Sequence, residues 1–263
     1  MCSKEQAILF GPFIGSTFWE FFRFAPYAIY LKKLNPDVKL IVLTRSSRFD
    51  FYGKYADILI SEKIKDQPQN QNCFKSSDVS INNYNKLKHS FHKKYKDRFD
   101  IIDHFCPNIK HFSYKLKWQF PRNLMTYDFK PRIKNEEILN NYNDSTCTTL
   151  VDFSWVKDNK FKQSLFNDLE DIDYIDYENL LKCIPYNVNN DKYSHYGCLI
   201  RLIKRMNLII GNIDNSNLTK LSLLLKVPII TVNENLSKDS ISLLNPFKTS
   251  IRFYKKETDE NFI

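Results

Sequence analysis

Leu208-Ile-Ile-Gly-Asn-Ile-Asp-Asn-Ser-Asn-Leu-Thr-Lys-Leu-Ser-Leu-Leu-Leu-Lys-Val-Pro-Ile-Ile-Thr-Val232 carries the pattern from which the fold of this chain is read. A short wholly apolar run gives way to a polar turn, then to a helix with apolar faces ending near Lys226, then to a second β-branched run. This is the grammar of a β-α-β unit. Its loop lies where a parallel sheet presents ligands, at the carboxyl end of a strand and the amino end of a helix.

Working outward, Tyr196 to Arg205 reads as a helix with Leu199, Ile200 and Ile203 on one side, feeding the strand at Leu208. Asn233 to Leu244 predicts a last helix, and 245–256 an ordered return segment. Further upstream, Cys147 to Phe153 is β-like, Asn159 to Leu169 fits an amphipathic helix, and Ile172 to Asp176 and Asn179 to Cys183 are brief elements. The amino-terminal half repeats this alternation. Ala7 to Phe10 predicts a strand, followed by a glycine-containing loop at 11–15 and a helix from about Phe18 to Leu34, closed by Asn35-Pro36-Asp37. Val38 to Thr44 is continuous enough in apolar residues for a buried parallel strand. Tyr55 to Ile60 predicts a further strand or a short helix-to-strand transition. Ile81 to Tyr95 predicts a helix rich in Lys and His, and 98–104 a small strand-turn element. Between Cys106 and Pro131, aromatics and prolines argue for irregular segments, and Ile133 to Asp144 reads as a polar helix or linker. The expected organisation is two compact domains, 1–133 and 134–263.

The 263 residues are 43% hydrophobic and 15% aromatic, enough for two real cores and against wholesale disorder. Net charge is +9, unevenly placed. Residues 1–133 hold 23 Lys and Arg against 12 Asp and Glu, a net +11; residues 134–263 hold 16 against 18, a net −2. The first half is therefore suited to an anionic partner, but charge alone does not name one. The six cysteines are scattered without a Cys-x-x-Cys pair, and no His-x-x-x-His occurs. That spacing argues against a zinc module or a secreted disulfide framework and for reduced thiols in a cytosol-like compartment. No basic leader precedes an apolar core and no run reaches a bilayer-spanning length, so a cytoplasmic chain is expected, with peripheral membrane contact left open.

Two strand-ending loops carry candidate chemistry. In the first, Gly211, Asn212, Asp214, Ser216 and Asn217 surround the start of a helix whose amides could receive phosphate oxygens, although Ser216 and Asn217 would equally serve as caps. Asp214 would repel a phosphate unless turned towards sugar hydroxyls. In the second, Ser154 and Lys157 could bind a phosphate through a hydroxyl and a point charge, while an exposed lysine in a turn is the plainer reading. In the amino-terminal half, Glu20 is a candidate base or a first-turn glutamate, and Arg23 could pair with it or hold an anion. Arg45 and Arg48 could receive a charged substrate or pair with Asp50 or Asp57. Gly11 to Gly15 is too sparse for a dinucleotide fingerprint, and no P-loop is present.

The stretch from Tyr196 through Ile230, with Gly211, Ser216, Leu218, Leu221 and Pro228 at matching positions, resembles the donor-side region of GT-B glycosyltransferases, in particular the heptosyltransferase-like group. Lys220 stands where that group often has His. The segment Gly11-Pro-Phe-Ile-Gly-Ser-Thr-Phe-Trp-Glu-Phe21 is similar to an acceptor-side loop of some phage and viral glycosyltransferase-like proteins. The resemblance implies two Rossmann-like lobes facing across a cleft and no obligatory metal. It further implies a nucleotide diphosphate-sugar donor and a glycan or other hydroxyl acceptor. Glu20 would be the base, Ser154, Lys157, Ser216 and Asn217 would contact the donor diphosphate, and Arg23 and Arg45 would orient an acidic acceptor. A non-catalytic nucleotide-sugar or glycan-binding module is the competing class. A basic nucleic-acid-binding protein ranks third, since no sequence-specific recognition motif supports it.

Overall fold

A computed structural model of the chain describes residues 4–13, 20–61, 81–106, 126–130, 147–183, 195–232 and 251–254. The chain divides into two compact units, Met1–Lys134 with Val188–Gly197, and Asn135–Asn187 with Cys198–Ile263. Each is built on a parallel sheet, so the protein consists of two Rossmann-like α/β domains.

In the first unit the strands are β1 (Gln6–Phe10), β2 (Lys39–Thr44), β3 (Ile58–Ser61) and β4 (Asp100–Phe105), ordered β3-β2-β1-β4 and all parallel. Strand β1 reads as an apolar run because it is central and covered on both faces. Ala7 and Leu9 point into one core with Ile41, Leu43, Phe91, Tyr95 and Phe99, where α2 (Ile81–Lys96) packs. Phe10 on the other face meets Phe24 at 4.2 Å between ring centroids, beside α1 (Ala25–Leu34). The segment before α1 is a π-helical turn, Glu20–Phe24, with every residue buried. The small strand-turn element expected at 98–104 is strand β4, which runs one residue further. Its polar Asp100 and Asp103 are exposed, while Ile101 joins the α2 core, as suits a strand at the end of the described ladder.

The second unit contains β5 (Thr149–Val151), α3 (Asn159–Asn167), β6 (Ile175–Asp176), α4 (Tyr177–Cys183), α5 (His195–Ile203, whose residues up to Gly197 belong to the first unit), β7 (Leu208–Gly211), α6 (Asn217–Leu224), β8 (Ile229–Val232) and β9 (Ile251–Tyr254). The sheet order is β6-β5-β7-β8-β9, again parallel throughout. Val151, Ile210 and Val232 line one face and pack with Leu165 and Leu169, so α3 covers that side. The return segment expected at 245–256 supplies β9, pairing Ile251 with Ile229 and Tyr254 with Val232. The brief element at 179–183 is helical and begins at Tyr177, after Asp176 accepts from the Glu178 amide.

Glycine is demanded at Gly11, which adopts φ +113°. A Cβ there would lie 2.3 Å from the Leu43 carbonyl oxygen. Several expectations lie outside the described residues. They are the glycine-containing loop beyond Phe13, most of the irregular segments between Cys106 and Pro131, the linker at 133–144 and the helix at 233–244. No helix among the described residues is long and apolar enough to cross a membrane.

Candidate functional site

In the second unit, β5 and β7 are neighbours and parallel, so the loops leaving their carboxyl ends lie side by side. What joins them is Asp152, a residue the sequence reading passed over. Asp152 is 2% exposed. Its Oδ1 accepts from the Ser154 amide at 3.1 Å and the Ser154 hydroxyl at 2.5 Å, and its Oδ2 accepts a short hydrogen bond from the Ser216 hydroxyl. One buried carboxylate thus fastens two of the predicted phosphate contacts to each other. Each hydroxyl has a single proton, so both serines spend their donor on Asp152. Ser216 retains its acceptor role, capping α6 by receiving the Thr219 amide at 3.1 Å.

Asn212 is 4% exposed and holds the β7–α6 loop from inside. Its Nδ2 donates to the Val232 carbonyl at 3.0 Å, and its Oδ1 accepts from the amides of Asp214 and Asn215 at 2.8 and 2.9 Å. The Ile213 amide donates to the Thr231 hydroxyl. The amides of 213, 214, 215 and 219 are therefore committed within the loop. The first-turn amides of Asn217 and Leu218 are the ones that a helix leaves without intrahelical acceptors. Gly211 permits the close fit of β7 under α6, since a Cβ there would come within 2.6 Å of the Thr219 hydroxyl oxygen.

Lys220 belongs to this loop too. It is 8% exposed, and its Nζ donates to the Asp214 carbonyl at 2.7 Å. Burial lowers its pKa to about 8, against a smaller opposing pull from Asp214. The group is a buried ammonium in the first turn of α6, poised to change charge near neutral pH. The two helix starts differ in kind. Helix α6 begins at a neutral serine, whereas α3 begins at Asp158, whose carboxylate accepts from the amides of Lys160 and Phe161. A carboxylate cap leaves α3 unattractive to an anion. Lys157 is exposed just before it.

The first unit carries a second polar centre at the carboxyl ends of its strands. Glu20 is fully buried. Its Oε1 accepts from the Tyr52 hydroxyl at 2.7 Å and, through a short bond, from the Thr44 hydroxyl, and its Oε2 accepts from Arg48 Nη1 at 2.7 Å. Arg48 is 3% exposed, so this is a desolvated ion pair, tolerable because further donors satisfy the carboxylate. Burial, and next the charge of Glu20, raise the Tyr52 pKa well above its usual value and keep it a neutral donor. Arg48 thus pairs with Glu20. Arg23 is buried with its guanidinium 4.4 Å from the Phe22 ring centroid, while Arg45 is half-buried at the start of the 3₁₀ turn Ser46–Phe51. Phe21 and Phe22 are core residues.

Sequence reasoning missed Asp152, Thr44 and Tyr52. The first left a signal, a carboxylate ending a buried apolar run two residues before a serine. Tyr52 and Thr44 left none, because only the fold brings them to Glu20. Among the described residues, no group of three His, Cys, Asp or Glu is placed to hold a metal ion. Cys106 and Cys147 are not in disulfides, and the Cys147 thiol donates to the Thr149 and Asp173 carbonyls.

No family model matches the sequence, and no curated protein does. Solved structures do match the fold. A glycosyl transferase family 9 protein from Veillonella parvula DSM 2008 aligns with 96% of this chain and 86% of its own, at 13% identity and a TM-score of 0.51. E. coli heptosyltransferase WaaC, solved with ADP, aligns with 95% of this chain and 93% of its own, at 11% identity and 0.51. E. coli ADP-heptose lps heptosyltransferase II covers 97% and 92%, at 11% identity and 0.50. At such identities the likeness is one of fold, and the fold is GT-B-like.

Proposed function

We propose that this chain is a glycosyltransferase that moves a sugar from a nucleotide diphosphate-sugar to a hydroxyl of a glycan or similar acceptor. The observation that carries the reading is the pair of β5 and β7 loops, fastened at one carboxyl edge by Asp152 beside a neutral helix start and a buried lysine. The proteins of like fold are named as glycosyl transferases, one of them solved with ADP. Here the diphosphate would meet the amides of Asn217 and Leu218, with Lys157 as an added positive charge. Gly211, Asn212 and Asp214 shape the loop around it. Ser154 and Ser216 hold its two sides in register through Asp152.

In the transfer step the acceptor oxygen forms a bond to the anomeric carbon while the bond from that carbon to the diphosphate oxygen breaks. The electron pair departs with the diphosphate, and fixed amide dipoles and positive charge stabilise it as it develops. The acceptor proton passes to Glu20, for which the hydroxyl must take the place of Tyr52 or Thr44 on Oε1. Arg23 and Arg45 add positive charge on the acceptor side, suited to an acidic acceptor. No metal enters this scheme.

A second reading, a non-catalytic module binding a nucleotide sugar or glycan, is favoured by one observation. Glu20 is fully buried and already accepts three donors. Transfer and hydrolysis measured across nucleotide sugars with wild type and Glu20→Gln separate the two. The enzyme reading expects transfer that falls at least a hundred-fold in the variant. Undiminished turnover in folded Glu20→Gln would remove Glu20 as the base, and donor binding with neither transfer nor hydrolysis would favour the module.

A further inference from the structure

Helix α1 begins on a gap in its own hydrogen-bond ladder. The buried π-helical turn Glu20–Phe24 runs into α1 at Ala25, and the second residue of α1 is Pro26. Proline has no amide hydrogen, so the Phe22 carbonyl lacks the donor that α-helical bonding would bring from four residues further on. The Tyr127 hydroxyl, 105 residues away in sequence, donates to that carbonyl at 3.1 Å. A buried carbonyl short of a donor is costly, so this hydroxyl stabilises the junction as it stands.

Tyr127 lies in a short stretch, 126–130, that touches both turns of the Glu20 centre. At its start the Thr126 amide donates to the Pro26 carbonyl at 3.0 Å. Further along, Phe129 is fully buried, its ring centroid 6.2 Å from that of Phe51, the last residue of the 3₁₀ turn that carries Arg48. At its end the Lys130 carbonyl accepts from the Lys54 amide at 2.9 Å. Asp128, partly exposed, accepts from Tyr55 and Lys33. One stretch thus ties the turn that supplies Glu20 to the turn that supplies Arg48 and leads into Tyr52.

We propose that Tyr127 is a positioning residue for Glu20, and that 126–130 keeps the Glu20 turn and the Arg48 turn in register during transfer. The inference rests on the reading of Glu20 as the base. The Phe22 carbonyl and Glu20 belong to one helical turn, so releasing the carbonyl lets that turn relax and carries the carboxylate away from the acceptor hydroxyl. A base must stand within hydrogen-bond reach of the proton it takes, and a misplacement of about 1 Å costs on the order of a hundred-fold in rate. Tyr127 belongs to the first unit and the donor loops to the second, so its effect falls on the transfer step and spares donor binding.

The test compares wild type, Tyr127→Phe and Lys33→Gln as full chains, each shown to be folded by thermal unfolding. Tyr127→Phe removes one hydroxyl and keeps the ring, whereas Lys33→Gln loosens the same stretch at Asp128, outside the Glu20 turn. With the nucleotide sugar that wild type turns over, kcat should fall about tenfold in Tyr127→Phe while the donor KM stays within about twofold. Lys33→Gln, which breaks a partly exposed ion pair, should keep kcat within about twofold of wild type. Amide hydrogen exchange read by mass spectrometry should quicken about fivefold or more over 20–27 in Tyr127→Phe and stay unchanged over 208–232. A kcat within about twofold of wild type in Tyr127→Phe, a loss carried by the donor KM, unchanged exchange over 20–27, or an equal fall of kcat in Lys33→Gln would each overturn the proposal. A wild type that transfers no sugar would remove the reading of Glu20 as base and the proposal with it. An active wild type beside an unimpaired Tyr127→Phe would remove the role of Tyr127 alone.

Discussion

Lys220 shows how a single side chain sets a pH dependence. Its folded-state pKa is lowered to about 8 by burial, while the unfolded chain keeps the ordinary value of 10.5. Between those values the unfolded state binds more protons, so folding stability from this group rises with pH; below about 8 the cost of the buried charge is present in full. A displacement of that size corresponds to roughly 3 kcal/mol. Thermal unfolding of wild type and Lys220→Met between about pH 7 and 10 should show the variant more stable at pH 7 and the difference closing as pH rises. A constant difference would mean that the ammonium carries no such cost. Arg48 works in the opposite sense. Arg48→Met leaves Glu20 buried without its counter-charge and should cost about 3–5 kcal/mol in urea unfolding, with Glu20→Gln in the same chain restoring part of it. At Gly211, alanine should cost about 1–3 kcal/mol, because its Cβ would press on Thr219. Thr219→Ala should recover much of that loss in a double-mutant cycle if the contact is its cause.

At the scale of elements, the β5 and β7 loops stand or fall together through Asp152. Asp152→Ala should unfasten Ser154 and Ser216 at once and cost about 3 kcal/mol, more than Ser216→Ala, which removes one cap and one side of the link. A loss no greater than that of the serine variant would show that the carboxylate is not the hub. The elements themselves were readable where periodicity was strong. Leu208–Gly211, Asn217–Leu224 and Ile229–Val232 fall within the stretch that decided the fold, and the lysine-rich helix ends within a residue of its expected limit. Strand β9 was legible only as an ordered return, because Ile251–Tyr254 becomes a strand by pairing with β8, a partner about twenty residues away. The sites were less legible for the same reason. Ser216 and Asn212 announce themselves by local turn chemistry, but a carboxylate taken up by two serines sixty residues apart is a tertiary fact. Glu20 was visible as a residue, while its burial against Arg48, Tyr52 and Thr44 was not.

At the scale of the whole molecule, two parallel sheets place two polar centres at their strand ends, one around Glu20 and Arg48 and one around Asp152 and Lys220. The alignment of fold with the glycosyl transferase family 9 protein runs over 96% of this chain, so both domains take part in the likeness. Charge separates the halves, with a basic amino-terminal half and a slightly acidic carboxyl-terminal half. That distribution suits an anionic partner at the first domain. The central claim is that the Asp152-fastened loops receive a nucleotide diphosphate-sugar. It is tested most directly by calorimetric titration of the folded chain with a panel of uridine, guanosine, adenosine and thymidine diphosphate sugars. The account predicts selective binding of one donor, weakened at least tenfold in Asp152→Ala under conditions where that variant remains folded. Binding of none of the panel by protein shown to be folded would contradict it.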